Sequence, residues 1–214
     1  MSKVKITAFS VSIDGYGAGT DQSLENPLGK GGGKIHSWMY PTKMFQKMIG
    51  KDGGTEGIDN DFAEKSMENC GAWIMGRNMF GPIRGPWPDD EWKGWWGDNP
   101  PYHVPVFVLT NHVRESVKMD GGTTFHFITD GIESALEKAK EVADGKDIRI
   151  GGGVSTIRQF LQAGFVDEVH FAISPVLLGS GENFFREMNL PKLGFSQVQK
   201  VNGEKATHIV LTKR

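Results

Sequence analysis

Three consecutive glycines precede a predicted helix in the segment IRIGGGVSTIRQF, residues 148–160. Glycine has no Cβ atom, so the backbone N–H groups here can approach a pyrophosphate closely, and the positive end of a helix dipole favours an anion. The spacing matches neither the Rossmann fingerprint G-x-G-x-x-G nor the Walker pattern G-x-x-x-x-G-K-[ST]. The segment therefore indicates either a tight turn or phosphate binding in another nucleotide-binding fold.

Two further segments place polar and basic side chains directly after short apolar runs. In AWIMGRNMFG, residues 72–81, Arg77 and Asn78 follow a predicted strand, and a guanidinium can bind a phosphate through two N–H groups. In VFVLTNHVRES, residues 106–116, the strand ends in polar and basic residues, where a basic side chain could contact a 2′-phosphate. Either segment could instead carry ordinary solvated side chains. The polar and basic residues of the second segment are Thr110, Asn111, His112 and Arg114.

Hydrophobic periodicity predicts the elements that position these segments. Strands are predicted at residues 3–13, 72–75, 106–109, 124–128, 147–150, 166–174, 195–201 and 206–212. Helices are predicted from Asp59 or Asp61, as cap, to about Asn69, and at residues 130–143 and 155–163, with a long irregular loop at 17–57. This order predicts a single α/β domain over residues 1–214. Its sheet is expected to be mixed and mostly parallel, with helices on both faces and a C-terminal antiparallel hairpin across Asn202-Gly203.

Five segments occur in an order that resembles a known family. They are SIDG, MGRNMF, VFVLTNH, IGGGVSTIRQFL and GFVDEVHFAISPVLLGSGENFF. Together they resemble the reductase family typified by the C-terminal domain of the riboflavin-biosynthesis enzyme RibD, within the dihydrofolate reductase-like fold. The similarity runs from Lys3 to about Phe185, and the last segment is the most specific.

The resemblance implies an NADPH-dependent reductase that transfers a hydride to a small heterocyclic, pteridine- or pyrimidine-like substrate. Residues 76–78 would lie near the pyrophosphate and the 2′-phosphate ribose, residues 110–112 beside the adenine, and residues 151–156 at the pyrophosphate. A cis peptide is implied between the first two glycines of the run, and Ile13 would lie near the nicotinamide. The implied cofactor residues are Ile13, Gly76, Arg77, Asn78, Thr110, Asn111, His112, Gly151, Gly152, Gly153, Val154, Ser155 and Thr156.

Two carboxylates are candidate catalytic residues for proton transfer. Dihydrofolate reductases carry a carboxylate on the helix before the segment that resembles MGR, where Asp61 is the nearest candidate and the alignment needs a gap. Asp14 is the second candidate. Either residue could instead be structural, Asp61 as a helix cap and Asp14 through a bond to its own turn. An ordered water is a third possible proton source.

A tryptophan-rich insertion separates the second and third segments. Residues 82–105 contain Trp87, Trp92, Trp95 and Trp96, and a minimal dihydrofolate reductase has no counterpart to them. The flat indoles could form a wall of the substrate pocket, anchor the loop to the core, or cover a dimer partner.

Composition excludes several classes of protein. The 214 residues have a formal net charge of −2 with scattered Lys and Arg, so no nucleic-acid footprint is expected. Cys70 is the single cysteine, which rules out an intrachain disulfide and fits a cytoplasmic location. The N-terminus predicts a strand rather than a signal peptide, no run of eighteen apolar residues suggests a membrane span, and the scattered histidines suggest no metal site.

Four alternatives remain open at this point. A true dihydrofolate reductase is disfavoured by the gapped carboxylate and the insertion, and a pyrimidine reductase by the lack of a zinc-deaminase H-x-E with P-C-x-x-C in these residues. An NADP(H)-binding module without turnover, or a scaffold, would share the same fold. A homodimer is expected, since the C-terminal strands offer an edge for pairing.

Overall fold

The computed structural model describes residues 2–213, which divide into two compact units. The first unit contains the chain up to Lys5, Ser23–Pro27 and Asn69–Phe165; the second contains Ile6–Gln22, Leu28–Glu68 and the chain from Val166. The strands are β1 Val4–Ser12, β2 Tyr16–Ala18, β3 Cys70–Gly76, β4 Pro105–Leu109, β5 Val117–Lys118, β6 Thr124–Ile128, β7 Asp147–Gly152, β8 Glu168–Ser174, β9 Glu182–Asn183, β10 Phe195–Asn202 and β11 Thr207–Lys213. The α-helices are α1 Lys43–Met48, α2 Ile58–Lys65, α3 Arg77–Phe80, α4 Ile132–Val142 and α5 Val154–Gln162.

The first unit is built on parallel strands in the order β1, β7, β3, β4, β6, with the short β5 antiparallel at the edge. Its central strand β3 is buried almost throughout, as expected for a strand covered on both faces. Helix α4 packs against β3 and β4, and α5 against β7 and β3, each through an apolar stripe at helical spacing. The parallel strands therefore end at one edge, followed by the segments that the sequence marks as phosphate-binding.

The second unit orders its strands β10, β11, β8 and then the rest of β1. Strands β10 and β11 form the predicted C-terminal hairpin, in which Asn202 pairs with Thr207 and residues 203–206 make the connection. Trp38 is fully buried in this unit, against small side chains that include Ala63 and Ala172. The α/β class, the mixed and mostly parallel sheet and the antiparallel hairpin are confirmed. No helix within residues 2–213 is long and apolar enough to cross a membrane.

Helix α2 is capped differently from the sequence prediction. Its N-cap is Gly57, at φ 124°, rather than Asp59 or Asp61, and the helix ends at Lys65 instead of near Asn69. The carboxylate of Glu204, on the hairpin connection, accepts the N–H groups of Ile58 at 3.0 Å and of Asp59 at 2.9 Å. A side chain 145 residues away along the chain thus replaces the local cap that the sequence pattern indicated.

Replacing Glu204 with alanine is expected to lower the free energy of unfolding by about 0.5–2 kcal/mol, the cost of losing a helix cap. Urea unfolding measures it, with Lys205→Ala as the control, since the backbone of Lys205 makes its contact without the side chain. A loss no greater than that of the control would show that the Glu204 carboxylate does not stabilise α2.

Candidate active site

The glycine turn joins β7 to α5 in the first unit. Strand β7 continues through Gly152, which pairs with Met75, and Gly153 is the N-cap of α5. The cis peptide lies between Gly152 and Gly153, one residue after the bond between Gly151 and Gly152 that the resemblance implied. The expected position was therefore wrong by one residue, and the strand also extends two residues beyond its predicted end at Ile150.

The end of β3 contacts this turn directly. A Cβ atom placed on Gly76 would lie 2.4 Å from Thr156 Oγ1 and 3.5 Å from both Gly152 O and Gly153 N. No larger side chain fits at position 76 unless Thr156 moves. Residues implied by two separate sequence segments are therefore brought together, as expected for one phosphate cradle. Met79, which sequence reasoning missed, lies against the same turn, with Sδ 3.1 Å from a Cβ built on Gly151.

The first turn of α5 offers backbone donors to an anion. The N–H of Ile157 makes the first helical hydrogen bond, to Gly153 O at 3.1 Å, so the N–H groups of residues 154–156 precede it. Among the described residues no side chain caps this nine-residue helix. Ser155 is exposed and Thr156 is buried. Free N–H groups and the positive end of the helix dipole together suit a phosphate.

Arg77 begins α3 immediately after Gly76. Its guanidinium carbon lies 3.8 Å from the centroid of the Trp87 ring, and Nη1 donates to Gly85 O. Nε and Nη2 are buried and have no hydrogen-bond partner in the part of the chain that the structure describes. Burial lowers the pKa of Arg77, and the positive charges of Arg114 and Arg84 lower it further. Asn78 follows in α3 and is half-buried. A phosphate could accept hydrogen bonds from these two N–H groups and neutralise the positive charge of the side chain.

The segment after β4 lies under the same insertion. Thr110 is buried, its N–H donates to Ile128 O, and its hydroxyl accepts the N–H of His112 at 3.2 Å. Asn111 is exposed. The indole N–H of Trp87 donates to His112 O at 3.0 Å. One tryptophan thus contacts both the segment proposed for the 2′-phosphate and the segment proposed for the adenine.

Arg114, one of the basic residues of this segment that could contact a 2′-phosphate, is buried against the insertion. Its side chain is only 1% exposed, and Nη2 donates to Asp90 O at 2.9 Å and to Trp92 O at 2.6 Å. Its Nε also lies 3.5 Å from the carboxylate of Asp90. Arg114 therefore anchors the insertion to the first unit.

The tryptophans of the insertion pack on the unit that carries them. Trp87 makes edge contacts with Phe80 at 5.9 Å and Phe127 at 5.3 Å, and Trp92 contacts Trp95 at 5.2 Å. Of the three interpretations of the insertion, anchoring to the core is the one that these contacts support.

Ile13 and Asp14 belong to the second unit, directly after β1. The N–H of Ile13 donates to Val176 O at 2.9 Å, while its side chain is 61% exposed. The Asp14 carboxylate accepts three hydrogen bonds, from Ser12 Oγ at 2.6 Å, Leu178 N–H at 3.2 Å and Gly179 N–H at 2.7 Å. The Ser12 hydrogen bond, followed by the two backbone N–H groups, holds the pKa of Asp14 below its ordinary value. The carboxylate that sequence reasoning proposed as a proton source is therefore an anion at neutral pH.

Asp61 is exposed in the first turn of α2, whereas the neighbouring Asp59 is 3% exposed. Asp59 Oδ1 lies 2.8 Å from Nε2 of the fully buried His208, and His208 Nδ1 lies 3.0 Å from His170 Nε2. Sequence reasoning missed this buried group. The available signal was a histidine among apolar residues in each of the two predicted strands that became β8 and β11.

Comparison with known proteins agrees with this architecture. The structure is similar to a putative riboflavin biosynthesis protein from Shewanella sp. PV-4, with a TM-score of 0.58 and 22% identity, covering 100% of this chain and 99% of that one. It is also similar to dihydrofolate reductase from Enterococcus faecalis complexed with NADP(H), with a TM-score of 0.51 and 14% identity over 100% and 96% of the two chains. These likenesses show the dihydrofolate reductase-like fold.

Two further relatives are matched over part of their length. A diaminohydroxyphosphoribosylaminopyrimidine deaminase/5-amino-6-(5-phosphoribosylamino)uracil reductase from Thermotoga maritima has a TM-score of 0.56 and 14% identity, covering 100% of this chain and 57% of that one. The uncharacterized protein YyaP of Bacillus subtilis is 44% identical over 59 residues, which are 28% of this chain and 31% of that protein. The family model of the RibD C-terminal domain matches residues 4–208, and the chain therefore belongs to the RibD C-terminal domain family.

Proposed function

We propose that the protein is an NADPH-dependent reductase that transfers a hydride to a small heterocyclic, pteridine- or pyrimidine-like substrate. The observation that carries the proposal is the contact of Gly76 with Thr156 and the glycine turn, next to Arg77 with two buried N–H groups that no described residue accepts. Membership of a reductase-type family supports the class of reaction. We further propose that the whole chain acts as one reductase domain in the cytoplasm.

The residues of the first unit fit the phosphates of such a cofactor. The turn at 151–153 and the first-turn N–H groups at 154–156 would hold the pyrophosphate, and Arg77 would bind the 2′-phosphate. Asn78 would contact the neighbouring ribose, and residues 110–112 would lie beside the adenine. Ile13 remains the residue proposed for the nicotinamide end. When bound, NADPH supplies the hydride from nicotinamide C4.

Asp14 and Asp61 remain the proposed routes for the proton. Because hydrogen bonds keep Asp14 ionised at neutral pH, we propose that it orients a water rather than donating its own proton. Asp61 is exposed to solvent. Asparagine variants of each, assayed for kcat across pH, distinguish the two, since only the residue on the proton route should change the pH profile.

Thermal unfolding with NADPH, with NADH and without cofactor tests the binding site. NADPH is expected to raise the Tm more than NADH does, because binding to the native state stabilises it in proportion to affinity. Arg77→Gln is expected to weaken NADPH binding roughly 10- to 100-fold, as a hydrogen-bonded charge contact is lost, and to leave NADH binding unchanged. Arg84→Gln, which removes the same charge from an exposed neighbour, is the control.

Three outcomes of these experiments would contradict or narrow the proposal. No Tm shift with either dinucleotide would exclude the cofactor site. A shift with NADPH but no steady-state NADPH consumption with dihydrofolate, a dihydropteridine or a ribosylaminopyrimidine would favour a binding module without turnover. Consumption with dihydrofolate alone would identify a true dihydrofolate reductase.

We also propose a homodimer. Strand β10 lies at the end of the strand order and pairs with β11 on one side, and no other strand of residues 2–213 pairs with its second edge, which could therefore pair with a second copy. Sedimentation analysis at micromolar concentration tests this, and a monomeric mass would contradict it.

A further inference from the structure

Trp87 occupies an unusual electrostatic position for a loop residue. The guanidinium carbon of Arg77 lies 3.8 Å from the centroid of its ring, and that of Arg114 lies 4.9 Å from it. An indole face attracts cations, and an Arg over a Trp is the most favourable pairing of this kind. The ring is itself fixed by its N–H bond to His112 O and by edge contacts with Phe80 and Phe127.

The two arginines around this ring are bonded very differently. Arg114 has an ion pair with Asp90 and two carbonyl acceptors, so its charge is compensated within the insertion. Arg77 has one carbonyl acceptor, Gly85 O, and no ion pair with a described residue. The negative charges of Asp90 and Asp89 act on Arg114, whereas the charges that act on Arg77 are the positive ones of Arg114 and Arg84. Both arginines keep buried donors that no described residue accepts, Nε and Nη2 in Arg77 and Nε and Nη1 in Arg114, but Arg77 is the one of the two that no described carboxylate pairs with.

Stacking also restricts how Arg77 can present those donors. A guanidinium is planar, and a contact at 3.8 Å from the ring centroid limits the directions in which its N–H groups can point. Nη1 is held by Gly85 O, so the donors Nε and Nη2 form the remaining edge of the group. Ordering an exposed arginine side chain costs up to about 2 kcal/mol of rotamer entropy, which a ligand must otherwise supply on binding. A guanidinium that is already ordered avoids that cost.

We propose that Trp87 is a positioning residue for cofactor selection: its ring holds the Arg77 guanidinium in the orientation that binds the 2′-phosphate, so that NADPH is preferred over NADH. The inference rests on the proposed function, because it requires the dinucleotide site. It goes further by assigning the specificity of that site to the tryptophan-rich insertion, through a side chain that need not touch the cofactor. Arg114 contributes by anchoring the insertion that carries Trp87.

Isothermal titration of the full chain with NADPH, NADH and 2′,5′-ADP tests the inference. In Trp87→Leu, affinity for NADPH and for 2′,5′-ADP is expected to fall about 10-fold, while the Kd for NADH stays within twofold of wild type. Trp87→Phe keeps an aromatic face and is expected to restore most of the preference. Trp96→Leu removes a tryptophan that is 38% exposed in the same insertion and is the matched control, with no expected change in preference.

Each result bears on one of the two proposals. If wild-type protein binds neither dinucleotide, the proposed function fails and this inference fails with it. If wild type prefers NADPH but Trp87→Leu weakens NADPH and NADH equally, the role of Trp87 is only structural and the inference alone is overturned. Should Trp87→Leu fail to fold, Trp87→Phe and Trp87→Met are compared instead. An unchanged preference in Trp87→Met would overturn the inference in the same way.

Discussion

Replacing Asp59 with alanine is expected to lower the free energy of unfolding by about 2–4 kcal/mol, because a buried donor would lose its acceptor at about 1–3 kcal/mol and a partly buried donor would lose a hydrogen bond of about 1 kcal/mol. The donors are His208 Nε2, 2.8 Å from Asp59 Oδ1, and the N–H of Lys205, 2.8 Å from Oδ2. His208 is 0% exposed, so water cannot easily replace the lost acceptor.

A directed chain of hydrogen bonds makes this site sensitive to the loss of one member. The backbone N–H of Ala8 can only donate, so His170 Nδ1, at 3.0 Å, must be its acceptor. His170 therefore carries its proton on Nε2 and donates to His208 Nδ1, which in turn requires the His208 proton on Nε2, facing Asp59. Phe62 stacks on both imidazoles, with centroids at 4.6 Å from His170 and 4.1 Å from His208. One backbone donor thus fixes the tautomers of two buried rings.

Asp61→Ala is the matched control, since Asp61 is the exposed carboxylate two residues away on the same helix. It is expected to cost less than about 1 kcal/mol, the size of a helix-dipole contribution at the surface. Urea unfolding at pH 7.5 measures both variants. Equal losses in the two would mean that Asp59 acts only through the first turn of α2, and the buried chain would then have no energetic role.

The second large effect is acid destabilisation of the native state below pH 6.5. Burial lowers the pKa of His36 from 6.5 to about 4, and burial also lowers the pKa of His208, against the opposing effect of Asp59 and Glu204. Between pH 6.5 and about pH 4, His36 binds a proton in the unfolded chain and not in the folded chain. The free energy of unfolding therefore falls as the pH falls through this range. Above pH 6.5 His36 is neutral in both states and causes no destabilisation. Below about pH 4 the stability that depends on neutral His36 is fully lost.

For His36 alone this loss amounts to about 3 kcal/mol between pH 7 and pH 4, at about 1.4 kcal/mol for each pH unit of pKa difference. Urea unfolding of wild type and His36→Gln at pH 7.5, 6.5, 5.5 and 4.5 measures it, because glutamine does not titrate. The free energy of unfolding of wild type, taken relative to that of the variant, should fall as the pH falls from 7.5 to 4.5. Parallel curves would show that His36 keeps an ordinary pKa in the folded protein.

The sequence by itself determined the local elements and the segments that follow them. Apolar runs of the right length predicted β3, β4 and β6, and apolar residues at helical spacing predicted α4. These predictions succeeded because the order of apolar and polar residues within an element shows which of its faces are buried. The glycine run and the residues after β3 and β4 were found for the same reason, since turn chemistry is local. Strand order then brought Gly76 against Thr156, as the resemblance implied.

Only the tertiary structure decided which distant side chains meet. Asp59 and His208 lie 149 residues apart along the chain, and Ala8 and His170 lie 162 apart, so no local pattern could indicate their contacts. Asp59 was interpreted as a cap because its neighbourhood resembles a helix start, yet Glu204 supplies that cap from the hairpin. The insertion was ambiguous for the same reason, since whether Trp87 faces the core, a ligand or a partner depends on what lies beside it. The type of a residue limits which contacts its side chain can make. The order and register of the strands determine which of those contacts form.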